Sequence, residues 1–303
     1  MNCRSKSMPK LSVIIPLVNR LPTIAECLAA IERQECNFDF EIIVADRTTD
    51  GTDEYIREHF PRVKLIKIDQ PCGIPEMRAV AIQQSSGDYL VITEDHCIAP
   101  ENWLTGIVEA HDSGYEVIGG AVENGSVHRL IDWAVFLCEY SSFMPPLANG
   151  ETPFITGNNT SYKRSVIEKV DKSLLTNYWE YFLQKELWQS GVRFLSVPSL
   201  IVSHEKEFGF FYFLAQRFHY SRSFAAMRKT KSSFTQQLIY LLFTPVLPFH
   251  LIWRIAKNVR QKKRNYREFL LSLPFLLIFM CSYAMGEFAG QLFGAGNSLA
   301  KVE

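Results

Sequence analysis

Residues 90–104 read LVITEDHCIAPENWL, and this stretch indicates the fold. An apolar run of strand length ends in three side chains that can bind ligands or transfer protons, Glu94, Asp95 and His96, before a proline and a new helix start. Three earlier apolar runs, LSVIIPLV, FEIIVAD and VKLIKID, alternate with amphipathic segments of helix length. This alternation predicts a parallel, doubly wound α/β sheet with its ligands at the carboxyl ends of the strands, where Asp46 and the triplet lie.

The order of predicted elements becomes less regular after residue 103. A strand near YEVIGGAVE and a helix around VHRLIDWAVFLCEY are followed by a short strand in PFITGNNTSYK. A helix over about residues 177–189 and the apolar run VRFLSVPSLIVSH complete the pattern. We therefore expect residues 1–230 to form one α/β domain.

Residues 231–303 have a different composition and are predicted to form a membrane-associated helical segment. FTQQLIYLLFTPVLPFHLIW and FLLSLPFLLIFMCSYAMGEFAGQLFG each have about the 20 residues that a helix needs to cross a bilayer. Basic residues flank the first run on both sides, which favours the cytoplasm for both ends, and Pro245, Pro248 and His250 interrupt it. An in-plane or re-entrant helix is therefore an alternative to a span, and a buried helical pair of a soluble domain is another.

Composition narrows the class of protein further. With 303 residues, 47% hydrophobic and 21% charged, the chain is globular rather than disordered. Lys plus Arg equals Asp plus Glu at 32 each, so net charge does not point to nucleic acid as a partner. The seven cysteines form no C-x-x-C pair, and MNCRSKSMPK precedes the first strand without an apolar signal core. We expect a reducing, cytoplasmic environment for the α/β domain.

Five segments in order resemble the inverting family 2 glycosyltransferases: SVIIPLVNR, VADRTTDGT, GDYLVITEDHCIAPENWL, ITGNNTSYKRSVIEKV and VPSLIVSH. The resemblance covers about residues 10–225 and implies a glycosyltransferase A-type, Rossmann-like fold with a mostly parallel central sheet. It implies transfer of a hexosyl group from a nucleotide-diphosphate sugar to a hydroxyl of a lipid-linked or polysaccharide acceptor, as in polysaccharide biosynthesis. The C-terminal GEFAGQLFGAG looks like the tails of membrane-attached members, whose catalytic domain would face the cytoplasm.

The triplet takes the place of the family's D-x-D motif, which holds a divalent metal on the donor phosphates. The resemblance assigns Glu94 and Asp95 to the nucleotide sugar and Asp95, His96 and the later His204 to the metal. Because imidazole suits Mn²⁺ better than Mg²⁺, His96 in place of an aspartate favours Mn²⁺. In the alternative, Asp95 supplies the metal oxygen and His96 meets the pyrophosphate.

Other positions are matched to the nucleotide-sugar pocket by the same resemblance. They are Pro16, Asn19, Asp46, Arg78, Gly157 and Asn158. The family's D-x-G-S-T-D is shortened here to DRTTD, and its last residue, Asp50, with Gly51, is expected to cap the next helix instead of touching a ligand. In the alternative, Arg78 lies on a solvated helix face and contacts no ligand.

An inverting transfer needs a general base. Members of the family often use the Asp of an E-D pair at the start of a helix, about eleven residues before a glycine. Counting back from Gly191 gives Glu180, with Trp179 in place of the first acid. Glu186 is the second candidate, and Trp179 is expected either on a sugar ring or in the core. Further on, Arg217 and Arg222 would meet donor phosphates or lipid head groups, or form a snorkelling face.

Two rival functions follow from the same residues. The substitutions at the triplet and at the E-D pair are compatible with a catalytically silent homologue that binds nucleotide sugars or glycans as a partner subunit. A nucleotidyltransferase would need a Gly-rich basic loop after the first strand, and PLVNRLPT lacks it.

Overall fold

The computed structural model describes residues 10–18 and 21–302, and these divide into two compact units. The sheet unit comprises the described residues up to Pro71 together with Pro75–Glu123 and Leu147–His204. The helical unit comprises Cys72–Ile74, Asn124–Pro146 and the described residues from Glu205 onwards. The division differs from the predicted boundary at residue 230, because the helix that ends at Thr230 packs within the helical unit.

Nine strands form one mixed sheet in the sheet unit. In chain order they are β1 (Leu11–Leu17), β2 (Phe40–Asp46), β3 (Val63–Lys67), β4 (Tyr89–Ile92), β5 (Cys97–Ile98), β6 (Val117–Asn124), β7 (Gly150–Glu151), β8 (Thr160–Lys163) and β9 (Phe194–His204). The spatial order is β3-β2-β1-β4-β8-β6-β9-β5, and β7 pairs with β9 outside this path.

The parallel part of the sheet is the part that the apolar runs predict. β1 pairs in parallel with β2 and with β4, and β2 pairs in parallel with β3. All seven residues of β1 are buried, as expected of a central parallel strand that is covered on both faces. Beyond β4, strand β8 pairs antiparallel with both β4 and β6. The sheet is therefore parallel at its first edge, and β8 is antiparallel to both of its neighbours.

Eight α-helices precede β9 in the described chain, and seven of them connect or flank the strands of the sheet unit, while α5 belongs to the helical unit. They are α1 (Thr23–Glu32), α2 (Thr52–His59), α3 (Ile74–Gln83), α4 (Trp103–Asp112), α5 (Leu130–Tyr140), α6 (Arg164–Ile167), α7 (Lys172–Asn177) and α8 (Glu180–Gln189). The helix predicted over 177–189 thus begins three residues later, at Glu180, after a break at Tyr178 and Trp179. Because β1, β2 and β4 are parallel, their carboxyl ends lie at one edge of the sheet.

The helical unit contains α5 and the C-terminal helices. These are α9 (Phe210–Thr230), α10 (Phe234–Phe243), α11 (Leu247–Lys262) and α12 (Tyr266–Phe293). A short 3-10 turn, Thr244–Val246, joins α10 to α11 at the predicted proline interruption. Two segments, Phe234–Lys262 and Tyr266–Phe293, are long and apolar enough to cross a membrane by length and composition. The six cysteines in the described part of the chain form no disulfide.

Candidate active site

The candidate site lies at the carboxyl end of β4, where the chain turns through the acidic and histidine triplet into β5. In the β5–β9 pairing, Cys97 is the register partner of His204. The antiparallel pairing therefore brings the ring of His96 next to that of His204, 108 residues further along the chain, with their ring centroids 4.5 Å apart.

Asp95 fixes the orientation of the His96 ring. One carboxylate oxygen of Asp95 is 2.6 Å from His96 Nδ1, and the other accepts a hydrogen bond of 2.9 Å from the backbone N–H of Val18 at the end of β1. Because Asp95 accepts the Nδ1 proton, the neutral His96 ring presents a bare Nε2 lone pair. That Nε2 atom lies 2.9 Å from His204 Nε2.

Glu94, His96 and His204 form a cluster that can hold a metal ion. Their ligand atoms all lie within 4.8 Å of one another, and Glu94 Oε2 is 3.4 Å from His96 Nε2. Neighbouring ligands of an octahedral ion with bonds of about 2.1 Å stand about 3.0 Å apart, close to the spacing of the two Nε2 atoms. Two imidazoles and one carboxylate are a donor set that suits a first-row transition ion.

The surroundings of Glu94 keep its carboxylate ionised. Burial would raise the pKa of Glu94, but protonated His96 and His204 in the metal-free cluster, together with Arg78, hold that pKa well below its usual range. Asn158 Nδ2 also donates a hydrogen bond of 3.2 Å to Glu94 Oε2. An anionic Glu94 is the form that a metal ligand requires.

Arg78 of α3 connects the cluster to Glu180. Its guanidinium lies 3.8 Å from Glu94 Oε1 and makes an ion pair of 3.0 Å with Glu180 Oε2. Burial would lower the pKa of Arg78, but Glu180 and Glu94 raise it above its usual value, so the charge is permanent. The buried Nε of Arg78 has no hydrogen-bond partner among the described residues, which leaves a donor for a bound anion.

Glu180 is held at the start of α8, with its carboxylate against the backbone of Gly157. A Cβ at position 157 would lie 2.4 Å from Glu180 Oε1, so only glycine allows this approach. Arg78, Gly157 and Glu180 share the wall of an open, largely apolar pocket. Its other lining residues are Pro75, Ala79, Ile82, Ile92, Thr160, Tyr162, Ile167, Leu174, Leu175, Tyr178 and Leu183.

Asp46 lies at the end of β2 and is engaged by its own neighbourhood. Its side chain is fully buried, accepts a hydrogen bond of 2.7 Å from the Thr48 backbone N–H, and pairs at 3.0 Å with Lys67 Nζ. Lys67, at the end of β3, was not identified from the sequence, although a basic residue at a strand end was a visible signal. Pro16 lies in buried β1 opposite Ala45, and Asn19 lies outside the described residues.

The structure brings eight of the predicted site residues into one connected group. Hydrogen bonds and ion pairs join Arg78, Glu94, Asp95, His96, Asn158, Glu180 and His204, and Gly157 contacts Glu180. The ligand set differs from the predicted one, because Glu94 faces the two histidines, whereas the Asp95 oxygens contact His96 Nδ1 and Val18.

The remaining candidate residues lie outside this connected group. Trp179 is 4% exposed and belongs to the core, and Glu186 is exposed on α8. Asp50 accepts hydrogen bonds from Thr52 at the start of α2, as its capping prediction required. In the helical unit, Arg217 pairs with Glu139 and Arg222 Nε donates to the Gly294 carbonyl, so the structure shows neither in a phosphate site.

Sequence relatives point to one enzyme class. The chain is 30% identical to the glycosyltransferase AglE of Haloferax volcanii over 125 residues, which are 39% of this chain and 41% of that protein. It is 26% identical to a dolichol-phosphate mannosyltransferase of Pyrococcus furiosus over 132 residues, 40% of this chain and 37% of that one. The matched part therefore spans less than half the length of either relative.

Solved structures share the fold. The mannosyltransferase PcManGT from Pyrobaculum calidifontis superposes with a TM-score of 0.58 at 18% identity, covering 95% of this chain and 88% of its own. Residues 1–349 of TarS from S. aureus superpose with a TM-score of 0.52 at 15% identity, covering 92% and 90%. The profile of the family described as "Glycosyl transferase family 2" matches residues 12–171, just over half of the chain. The chain therefore belongs to glycosyl transferase family 2 and has the glycosyltransferase A-type fold.

Proposed function

We propose that the chain is a metal-dependent, inverting glycosyltransferase that moves a sugar from a nucleotide-diphosphate sugar to a hydroxyl of a lipid-linked or polysaccharide acceptor. The observation that carries the proposal is the single network from the Glu94, His96 and His204 cluster through Arg78 to Glu180. It combines a metal donor set, a permanent positive charge and a carboxylate base. The PcManGT structure was determined with GDP-Man and Mn²⁺, and a TarS structure with UDP-GlcNAc, which supports a donor of this class.

Glu94, His96 and His204 are the residues that would hold the metal. A bound divalent ion supplies positive charge that neutralises the departing nucleoside diphosphate. The two imidazole nitrogens favour Mn²⁺ over Mg²⁺, since Mg²⁺ prefers oxygen ligands. Two histidines and a carboxylate also hold Fe²⁺ in other enzymes, so a metal screen should include that ion.

Asp95 and Arg78 prepare the site for an anionic ligand. Asp95 holds the His96 ring in the tautomer whose Nε2 lone pair points into the cluster. Arg78 is buried, permanently charged and has a vacant Nε donor, so it is suited to a phosphate oxygen of the donor. Asp46, Pro16, Asn19 and Asn158 are proposed for the nucleotide-sugar pocket on family resemblance.

Glu180 is proposed as the general base. Its carboxylate takes the proton of the acceptor hydroxyl while the acceptor oxygen forms the new bond to the anomeric carbon. The bond from that carbon to the diphosphate oxygen breaks, and its electron pair leaves with the nucleoside diphosphate. Attack opposite the leaving group inverts the anomeric configuration. The open cavity beside Glu180 leaves space for the approaching group.

Membrane attachment is the second part of the proposal. The segments Phe234–Lys262 and Tyr266–Phe293 have the length and composition of membrane helices, and their connector is basic. A basic connector favours the cytoplasmic side, where nucleotide sugars and lipid-linked acceptors would meet. We therefore propose a membrane-associated enzyme whose sheet unit faces the cytoplasm.

A donor screen tests the function. The detergent-solubilised full chain is incubated with UDP- and GDP-sugars, with lipid-linked and glycan acceptors, and release of nucleoside diphosphate is measured with Mn²⁺, Mg²⁺, Fe²⁺ or EDTA. We expect release with at least one donor, faster with Mn²⁺ than with Mg²⁺, and background release in EDTA. Full activity in EDTA would contradict the metal site, and donor binding without turnover under every condition would favour a silent homologue.

A further inference from the structure

Helix α12 has an apolar outer face, and its inner face carries polar side chains among buried apolar ones such as Leu276 and Phe279. Polar side chains on its inner face are buried, among them Ser272, Ser282 and Glu287. Ser272 Oγ donates to the Leu130 carbonyl, and Ser282 Oγ to the Leu214 carbonyl of α9 at 2.8 Å. Apolar residues instead form a stripe along the outer face: Leu270, Leu271, Leu277, Ile278, Met285, Phe288 and Leu292, each between 41% and 65% exposed. A helix with apolar groups outside and polar groups inside is adapted to contact lipid.

The segment α10–α11 presents a second apolar stripe. Leu238, Leu242, Val246, Phe249 and Trp253 follow one another at steps of three or four residues, so they share one helix face. They are between 45% and 70% exposed, and only 17% of the apolar window of Phe234–Lys262 is buried. These helices are therefore not the buried helical pair of a soluble core.

Close packing ties α12 to a polar helix. A Cβ at Gly286 would lie 2.2 Å from the Phe218 carbonyl oxygen, and one at Gly290 would lie 2.4 Å from the Arg222 carbonyl oxygen. The backbones of α9 and α12 thus touch over the last third of α12. An α12 that crossed the bilayer would carry this part of α9 into the hydrocarbon beside it.

Helix α9 is poorly suited to the hydrocarbon. Arg217 is buried in an ion pair with Glu139, and Arg228 pairs with Glu287 of α12. Lys229 Nζ donates to the Gln291 carbonyl at 2.7 Å. Ionised groups are expensive at bilayer depth even when they are paired, so a spanning α12 would bring several of them there at once.

A basic cluster borders the apolar stripes. Residues 254–267, from the second half of α11 to the start of α12, contain Arg254, Lys257, Arg260, Lys262, Lys263, Arg264 and Arg267 and no acidic residue. Five of these seven are exposed, namely Arg254, Lys257, Arg260, Lys263 and Arg267. Trp253 stands at the border, with Lys257 Nζ 5.7 Å from its ring centroid. An aromatic residue followed by exposed cations matches the order of acyl chains, interface and anionic head groups at a membrane surface.

We infer that the helical unit lies in the plane of one leaflet of an anionic bilayer, inserting the stripes of α10–α11 and α12 without crossing the membrane. The basic cluster then rests on anionic head groups, and the polar helix α9 stays on the side away from the hydrocarbon. This deepens the membrane attachment of the proposed function by assigning its mode and its lipid partner.

The sidedness of the ends of α12 tests this arrangement. Gln261, near the end of α11, and Asn297, four residues after α12, are exposed and precede and follow α12 in the chain. Gln261→Cys and Asn297→Cys are made in a Cys281→Ser background, and sealed inside-out and right-side-out vesicles are treated with a membrane-impermeant maleimide. We expect both cysteines to react in the same vesicle preparation, after the labelling of the background chain is subtracted. If one cysteine reacts only in inside-out vesicles and the other only in right-side-out vesicles, the inference is overturned, because an α12 that crosses the bilayer places these residues on opposite sides of it.

Vesicle flotation of the purified full chain tests the lipid partner. Leu242→Glu/Phe249→Glu/Trp253→Glu should weaken binding to phosphatidylcholine vesicles with about one third phosphatidylglycerol by at least roughly 100-fold. Lys257→Gln/Arg260→Gln/Lys263→Gln should weaken binding by about 100-fold to these vesicles and little to pure phosphatidylcholine. Val127→Glu, at an exposed apolar residue before α5, is the matched control and should bind normally.

Unchanged binding of the triple glutamate variant, with its helical content intact by circular dichroism, would overturn the inference. So would a chain that ignores vesicles and forms dimers that this variant dissociates. Nucleoside diphosphate release in detergent is measured separately. A chain that is inactive but has both cysteines on the same side of the membrane contradicts the proposed function alone. A chain that is active but has the cysteines on opposite sides contradicts this inference alone.

Discussion

Glu180→Gln is expected to slow sugar transfer by roughly 100-fold to 10,000-fold, because glutamine keeps the shape of the side chain but cannot accept the acceptor proton. The Glu180 side chain is 30% exposed, so the substitution should leave the fold intact. Arg78 loses one anionic partner but keeps Glu94. Single-turnover transfer should therefore fall while nucleotide affinity changes little, and the two measurements together separate a chemical role from a structural one.

Glu186→Gln is the matched control for that experiment. Glu186 is a glutamate of the same helix, but it is exposed and takes no part in the network around Arg78. Its variant should transfer at the normal rate. A Glu180→Gln enzyme with normal transfer, or a Glu186→Gln enzyme that loses it, would assign the base role elsewhere.

Removal of either histidine is expected to lower the affinity for Mn²⁺ by more than about 100-fold and to reduce transfer to background. His96→Ala and His204→Ala each delete one nitrogen of the cluster, and the two remaining ligands hold an ion poorly. The Mn²⁺ affinity is measured from the electron paramagnetic resonance signal of the unbound ion, with and without nucleoside diphosphate. Asp95→Asn should weaken binding by about 10-fold to 100-fold, because it disturbs the orientation of His96 and removes no ligand of the cluster.

His128→Ala supplies the control for the histidine variants, since His128 is exposed in the helical unit. It should bind Mn²⁺ as the wild type does. Wild-type affinity in His96→Ala or His204→Ala would contradict the assignment of the cluster. A larger loss of Mn²⁺ affinity in Asp95→Asn than in either histidine variant would support the ligand set predicted from the sequence, which is Asp95, His96 and His204.

The parallel part of the fold was predictable because it depends on local patterns. The runs that became β1, β2 and β4 are almost continuously apolar, and most residues of these strands are buried. The helix that carries Glu180 was predictable from its own pattern, although it begins at Glu180, three residues later than predicted. In these cases one short segment contains the whole signal.

The orientation of the triplet was not predictable from the sequence. Which of Glu94, Asp95 and His96 faces His204 depends on the β5–β9 pairing and on a hydrogen bond from the Val18 backbone. Both contacts join residues far apart in the chain. The ion pair of Asp46 with Lys67 was missed for the same reason, since it joins the ends of two neighbouring strands.

The grouping of α9 also depends on a long-range contact. The basic and aromatic run of α9 was expected near the membrane as part of the α/β domain. In the structure its backbone packs on Gly286 and Gly290 of α12, so α9 belongs to the helical unit. The pair of glycines four residues apart in GEFAG was the local signal for this helix contact.

The location of the bound metal tests the central claim most directly. Crystals of the full chain grown with Mn²⁺ and a nucleoside diphosphate would give an anomalous difference map at the manganese edge. The account predicts one peak within about 2.3 Å of His96 Nε2, His204 Nε2 and a Glu94 carboxylate oxygen, with a phosphate oxygen of the nucleotide completing the coordination. A nucleotide bound with no metal at this cluster, or a peak held by other side chains, would contradict it.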